Sequence, residues 1–308
     1  MQQAIIVEHL QKRYGEVEAV ADISFQVEAG EIFGMVGPNG AGKTTTIECM
    51  EGLRRQDGGT IRILDMDPQE QGPALRERIG VQLQEAALPP RLKVWEACDL
   101  FASFYSHTVP WPPLLEKLGL AEKRDSYVGK LSGGQRQRLF IVLALLNDPE
   151  VVFLDELTTG LDPQARRTMW ELVREIRDQG KTLFLTTHFM DEAERLCDRV
   201  AIIDRGRLIA LDSPENLIRS LNAEHRIIFT VNGNFPAERF ASLPGVARLE
   251  QVGERVILYG RGDMPVSRVV QALESSHVAF RDLRTEQPNL EDVFLALTGR
   301  EMHPGGDV

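Results

Sequence analysis

A chain of 308 residues, 43% hydrophobic and 26% charged, can bury one large core and a second smaller one. Its formal net charge of −11 argues against a nucleic-acid partner held by phosphate neutralisation. The apolar run Leu139–Leu146 is far short of the ~20 residues needed to cross a bilayer.

The start, MQQAIIVEHL, lacks the basic and apolar segments of a secretory leader. Cys49, Cys98 and Cys197 have no paired spacing and read as buried thiols of a reducing compartment, so a cytoplasmic protein is expected. AIIVEHL and ADISFQVEAG are predicted as short alternating strands, and EIFGMVG, after a glycine turn, as a buried one. Thr44–Gly52 reads as a helix ended by glycine, with GTIRILDM and RIGVQLQ (Arg78–Gln84) as further strands. From about Val94 to Leu146 the pattern is helical, interrupted at the proline-rich VPWPPL.

Alternating units follow: strand VVFLD, helix ARRTMWELVREIRDQG, strand TLFLTT, helix DEAERLC, strand RVAIID. The first of these helices sets Ala165, Met169, Leu172, Val173 and Ile176 on one face, as a helix covering a sheet requires. Near-continuous apolar strands between such helices indicate a parallel sheet buried on both faces. Residues 1–217 are therefore expected to form an α/β domain with a helical region at about 85–146. From Arg226 the order changes to strand RIIFTV, helix PAERFASL, hairpin VARLEQV and RVILYG, helix SRVVQALESS and strand VAFRDLRT. That is a βαββαβ order with the added terminal helix NLEDVFLAL, read as a small α+β domain over 218–302 with a frayed tail at 303–308.

The stretch GPNGAGKTTT follows the strand EIFGMV and opens a helix. Gly37, four residues (Pro38, Asn39, Gly40, Ala41) and then Gly42-Lys43-Thr44 fit the phosphate-binding loop pattern in the strand–helix context it requires. Glycines let backbone N–H groups turn inward onto phosphate oxygens, and the helix adds its positive end. Lys43 is expected on the β- and γ-phosphates and the Thr44 hydroxyl on Mg²⁺. The competing reading is a flexible turn with a chance lysine. VVFLDE then sets Asp155 at a buried strand end, where a carboxylate can hold Mg²⁺, and Glu156 where it can polarise a water. Alone, that acidic pair would read as a solvated turn.

LSGGQRQR carries a capping box, Ser132 with Gln135 three residues on. A capping box does not ask for Gly133 and Gly134, each unfavourable in a helix by about 0.5–1 kcal/mol relative to alanine. Glycines there let an anion approach the helix start closely, which suggests a second chain closing over the same nucleotide.

With these motifs in order, residues Ala4 to Leu217 resemble the nucleotide-binding subunit of an ATP-binding-cassette (ABC) transporter. The resemblance implies a P-loop NTPase cassette with antiparallel β and helical subdomains, and ATP and Mg²⁺ as cofactors. It implies that Tyr14 in QKRYGEVEAV stacks on adenine, and that Gln84 in VQLQEAALPP senses Mg²⁺ and water. Asp162 in TTGLD would signal across a dimer, and His188 in LFLTTHFMDEAE would contact the γ-phosphate. Each ATP would lie between Gly37–Thr45 of one chain, Thr45 included, and Ser132–Gln135 of another, with Glu156 activating water. Leu157 departs from the family, which usually has proline there, and leaves both carboxylates in place.

The implied partners are an integral-membrane permease and a second nucleotide-binding domain, packed head to tail as a homodimer. The implied location is the inner face of the cell membrane. QPNLEDVFLALTGR resembles the ending of drug- and antibiotic-resistance exporter ATPases, so export of a drug, antibiotic or lipid-like compound is expected. The alternative is a soluble ABC-type ATPase serving a nucleic-acid or ribosomal machine. The long coiled-coil insertions, tandem cassettes and basic arms which that class carries are not present in this sequence.

Overall fold

The computed structural model describes residues 2–82, 88–221, 225–231, 235–260 and 266–299. It begins with a long hairpin, β1 (Gln3–Tyr14) and β2 (Val17–Glu28). In β2, Val20, Ile23, Phe25 and Val27 are buried while Asp22, Ser24 and Gln26 face out, the period of two expected of an antiparallel strand with one wet face. β3 (Ile32–Val36) is buried at all five positions and delivers the chain into the glycine-rich loop. Beyond that loop come α1 (Lys43–Met50), β4 (Gly58–Ile63), α2 (Gly72–Arg76) and β5 (Ile79–Gln82).

A helical stretch follows: α3 (Val94–Ala102), α4 (Trp111–Lys117), two single-turn 3₁₀ segments and α5 (Gly133–Leu145). The prolines of VPWPPL start a helix rather than only interrupt one. Pro112 and Pro113 lie in the first turn of α4, where their missing N–H groups would have had no intrahelical partner. The remaining elements of this body are β6 (Val151–Asp155), α6 (Pro163–Asp178), β7 (Thr182–Thr187), α7 (Met190–Leu196), β8 (Arg199–Asp204) and β9 (Arg207–Asp212). β9 is absent from the sequence reading. It returns from β8 through the tight turn Arg205-Gly206, pairs antiparallel with β8, and touches β2 in parallel at Asp22 and Arg207.

These strands make one nine-stranded sheet, β4-β1-β2-β9-β8-β3-β7-β6-β5. β8, β3, β7, β6 and β5 run parallel in it. β6 and β7 are buried along their whole length, as the unbroken apolar reading of VVFLD and TLFLT requires. Phe25, Phe33 and Phe184 stack at centroid distances of 5.3 to 5.8 Å, tying the hairpin layer to the parallel strands. In α6, Met169, Leu172, Val173 and Ile176 are buried as expected, and Trp170 joins them with its indole N–H on Glu192 at 3.0 Å. The turns after β3, β6 and β7 emerge at the carboxyl ends of adjacent parallel strands, where open α/β sheets keep their ligands.

Met1–Pro214 and Glu215–Glu301 are two compact bodies. Following α8 (Pro214–Ser220), the second body runs β10 (His225–Val231), α9 (Ala237–Ala241), β11 (Val246–Val252), β12 (Arg255–Gly260), α10 (Val266–Ser275), β13 (Phe280–Glu286) and α11 (Leu290–Thr298). Its antiparallel sheet is ordered β11-β12-β10-β13, the arrangement of a βαββαβ unit, over a separate core around Phe229, Phe240 and Leu258. Asn289 and Asp292 form a capping box that starts α11.

Candidate nucleotide site

A cleft of about 830 Å³ opens over the loop between β3 and α1. Gly42 turns the chain into α1 at a φ of 106°, and a Cβ there would lie 2.5 Å from the Ala19 carbonyl oxygen, so only glycine fits. No side chain caps α1. The N–H groups of its first turn are therefore open to an anion in the cleft. Ala41 is tied down, its carbonyl accepting from the Gly206 N–H at 2.9 Å. Thr44 is exposed at the start of α1, Thr45 is half-buried, and both line the cleft with Asn39 and Gly40.

Lys43 is only 4% exposed. Its ammonium donates to the carbonyls of Gly37 at 2.8 Å and Pro38 at 3.1 Å, and lies 3.8 Å from Glu156 Oε1. Burial pushes this ammonium toward its neutral form, and the Glu156 and Asp155 carboxylates oppose that.

Asp155 ends β6, 2% exposed, and accepts the hydroxyl of Thr186 on β7. Burial raises its carboxyl, partly offset by that hydrogen bond. Glu156 follows at a φ of 48°, a left-handed conformation that a glutamate adopts only under constraint. Two contacts constrain it: its N–H donates to the Thr186 carbonyl at 3.1 Å, and its carbonyl accepts from the Thr159 N–H at 3.2 Å. The turn thereby aims the carboxylate back into the cleft, 3.4 Å from His188 Nδ1. The contact with His188 is the main reason the Glu156 carboxyl is held below its ordinary value, with burial working against it. Two neighbouring carboxyls are thus driven in opposite directions, Asp155 up and Glu156 down.

Lys43, Thr44, Glu156 and His188 therefore share one cleft, with Tyr14 at its rim. The Tyr14 ring is 41% exposed and carries Lys12 at 5.6 Å and Arg54 at 5.8 Å. Gln84 lies outside the described residues. Ser132, Gly133, Gly134, Gln135 and Asp162 do not line this cleft. Ser132 and Gln135 make the expected capping box, Ser132 N–H to Gln135 Oε1 at 3.0 Å and Gln135 N–H to Ser132 Oγ at 3.3 Å. Asp162 caps α6, accepting from Gln164 N–H at 3.0 Å and Ala165 N–H at 2.9 Å. Leu157 is buried, and its carbonyl accepts from the Gln137 amide at 2.8 Å.

Three contributors escaped the sequence reading. Thr186 orients Asp155 and Glu156, Thr159 donates its hydroxyl to Glu156 Oε2 at 3.3 Å, and Arg205 adds a cation to the cleft wall from the β8–β9 turn. The paired threonines of TLFLTT, polar at the end of an apolar strand, were the available signal for the first.

A nucleoside triphosphate fits the open amides, the lysine and the aromatic rim. Thr44 and Asp155 offer hard oxygen donors, and no cluster of three His, Cys, Asp or Glu side chains occurs among the described residues. Hard oxygen donors of this kind suit Mg²⁺, which keeps water and phosphate oxygens as most of its ligands.

Residues 20–159 match the family described as ABC transporter, and residues 239–299 match the C-terminal domain of the nodulation factor export protein NodI. The chain is 42% identical over 304 residues to the Nod factor export ATP-binding protein I of Ralstonia nicotianae, covering 96% of this chain and 94% of that one. The protein of the same name from Paraburkholderia xenovorans is 42% identical, covering 97% and 98%. Among solved structures, an ATP-binding subunit of an ABC transporter aligns with a TM-score of 0.65 at 30% identity, over 71% of this chain and 93% of that one. An ATP-binding cassette solved in its ADP conformation aligns with a TM-score of 0.63 at 25% identity, over 70% and 93%.

Proposed function

The chain belongs to the ATP-binding subunits of ABC transporters, and from that premise we propose that it powers export through a separate membrane permease, using Mg²⁺-ATP held in the cleft over Gly37–Thr45. It is an ATPase whose turnover is coupled to transport. The observation that carries the reading is the convergence of Lys43, Glu156 and His188 on one cleft beside an uncapped helix start.

In the proposed cycle Lys43 leaves the Gly37 and Pro38 carbonyls for the β- and γ-phosphates. Thr44 and Asp155 would hold Mg²⁺, which when bound would shield charge on the phosphates. Glu156, already ionised, takes a proton from the attacking water, while His188 steadies it and faces the γ-phosphate. Tyr14 receives the adenine, and Gln84 and Asp162 report the state of the site. Ser132–Gln135 come from a second copy, because they do not line this chain's own cleft. Residues 1–217 act as the cassette and 218–302 as a domain reinforcing the dimer. The chain sits on the inner face of the membrane through its permease; no helix among the described residues is long and apolar enough to cross a bilayer.

The relatives' name, Nod factor export, supports export and favours a cargo of that kind over a drug specifically. Neither these relatives nor the geometry favours a nucleic-acid or ribosomal machine. The test is reconstitution: the chain, its co-purifying permease and liposomes, with ATP-dependent movement of lipid-like compounds measured. ATP turnover without any vectorial movement overturns the exporter reading and leaves the ATPase standing.

A further inference from the structure

The nucleotide cleft is lined by the first body; the second body carries a cavity of its own, of about 530 Å³. That volume is in the range of small-molecule sites. A row of side chains crosses all four strands there: Arg248 on β11, Tyr259 on β12, Arg226 on β10 and Glu286 on β13, each opposite the next in register. Side chains alternate along a strand, so Glu250, Arg255 and Arg284 share the face of that row. These positions hold four arginines and two glutamates, a basic excess in a chain whose net charge is −11.

Two of these arginines meet on one ring. The Arg248 guanidinium lies 3.7 Å from the Tyr259 centroid, and that of Arg226 lies 5.8 Å from it. The Tyr259 hydroxyl donates to Glu250 at 2.8 Å and Arg248 pairs with the same carboxylate, so ring and guanidinium are held in place ahead of any ligand. The acids of the cavity are committed elsewhere. Glu286 accepts from Arg284 at 3.1 Å, and Asp292 accepts the Asn289 N–H at 3.0 Å at the start of α11. Arg226 stands 3.9 Å from Asp292, beyond hydrogen-bond reach. Two guanidiniums beside one ring repel each other, and a negative group between them relieves that repulsion. Arginines on an open, solvated sheet face would need no ligand. These two line a concave site together with Leu221, Leu295 and Ala296, and Leu295 is 41% exposed.

We propose that this cavity binds a free, single-chain anionic amphiphile. Its phosphate, sulfate or carboxylate head lies between Arg226 and Arg248 beside Tyr259, and its first carbons lie against Leu221, Leu295 and Ala296. The planar fork of an arginine matches such a head with two parallel hydrogen bonds, and the apolar side chains take the tail out of water. The inference goes beyond the transporter reading and does not depend on it. It makes the second body a ligand-binding module, with an occupant distinct from the nucleotide.

Calorimetry on the full chain tests this, with Mg²⁺-ADP saturating the nucleotide cleft so that a phosphate head cannot enter there. Octyl phosphate, kept below the concentration at which it forms micelles, should bind wild type roughly tenfold or more tightly than either octanol or inorganic phosphate. Arg226→Gln should lose the preference over octanol, with Tm and ADP affinity unchanged. Leu295→Gln, on the exposed side of α11, should narrow the gap between octyl phosphate and inorganic phosphate. Equal affinity of wild type for octyl phosphate and octanol, or a preference that survives intact in Arg226→Gln, overturns the anion site. Equal affinity for octyl phosphate and inorganic phosphate overturns the amphiphile. Vesicles of phosphatidylcholine containing phosphatidic acid separate the two sources of such a head. Wild type should not float with them; flotation that Arg226→Gln abolishes would assign the site to a lipid head in a bilayer and overturn the free ligand.

Discussion

At single residues, burial and pairing set opposite charges to different tasks. Lys43 is almost wholly buried yet stays compensated by two loop carbonyls and by Glu156, so it waits in place as a cation for phosphate oxygens. Lys43→Ala should weaken ATP binding by roughly 10–100-fold, the loss of a charge-assisted contact, in a fluorescence titration with labelled nucleotide. Unchanged affinity would remove the phosphate-loop assignment. Glu156→Gln should keep ATP binding and lower turnover by roughly 10²–10⁴-fold, the range for loss of a general base. Glu51 supplies a prediction about stability. Burial, reinforced by the Asp155 and Glu48 carboxylates, pushes its carboxyl from 4.5 up to about 8. The unfolded group loses its proton near 4.5 while the folded one keeps it to about 8, so folding takes up a proton in that window. This contribution to stability is complete at low pH and is lost progressively as pH rises to about 8. Denaturant titrations of the isolated chain between these limits should show a shallower decline for Glu51→Gln than for wild type; identical slopes would contradict the shift.

At the scale of elements, the start of α5 separates what folding needs from what function needs. A Cβ added to Gly134 would meet nothing closer than Ala165 Cβ at 3.6 Å, an ordinary contact. Packing within the chain therefore does not require glycine there. Gly134→Ala should leave stability unchanged or raise it by up to about 0.5–1 kcal/mol through helix propensity, while lowering ATP turnover by roughly tenfold or more if an anion must approach that helix end. Falling stability with normal turnover would reverse the argument. The same distinction explains what was legible in sequence. β3, β6 and β7 are apolar at nearly every position, so their burial followed from composition, and the loops after them followed from what glycine, lysine and carboxylate demand. β9 is hidden in sequence because a two-residue turn joins it to β8, leaving no separating loop to mark a new strand. VPWPPL reads as an interruption in sequence, although proline in a first turn begins a helix. Trp170 fell outside the predicted stripe because its burial depends on a distant acid, Glu192, which no local period reveals. Thr186 and Arg205 enter the site through strand adjacency, a long-range fact that one sequence does not carry.

For the whole molecule, the decisive feature is that the phosphate-loop cleft is built from one end of the parallel sheet, while the LSGGQ helix start does not line it. One chain thus brings Lys43, Glu156 and His188 to one cleft, and carries at Ser132–Gln135 a second glycine-bearing helix start outside it. Two copies packed head to tail would give each triphosphate both, and the ligand itself would then become the adhesive. Dimerisation should accordingly require ATP and reverse on hydrolysis. In sedimentation experiments wild type should remain monomeric without nucleotide. Glu156→Gln with Mg²⁺-ATP should instead run as a stable dimer, because the bound triphosphate is no longer consumed. Adding Lys43→Ala to that variant should return it to monomer, and so should replacing Ser132 by arginine, which obstructs the second helix end while leaving the first site whole. The Ser132 variant is the more informative of the two, since it should bind ATP normally as a monomer. A Glu156→Gln chain that stays monomeric with saturating ATP would mean that the second helix end is supplied by a different chain, and mixing with the native membrane extract would then be needed to form the complex.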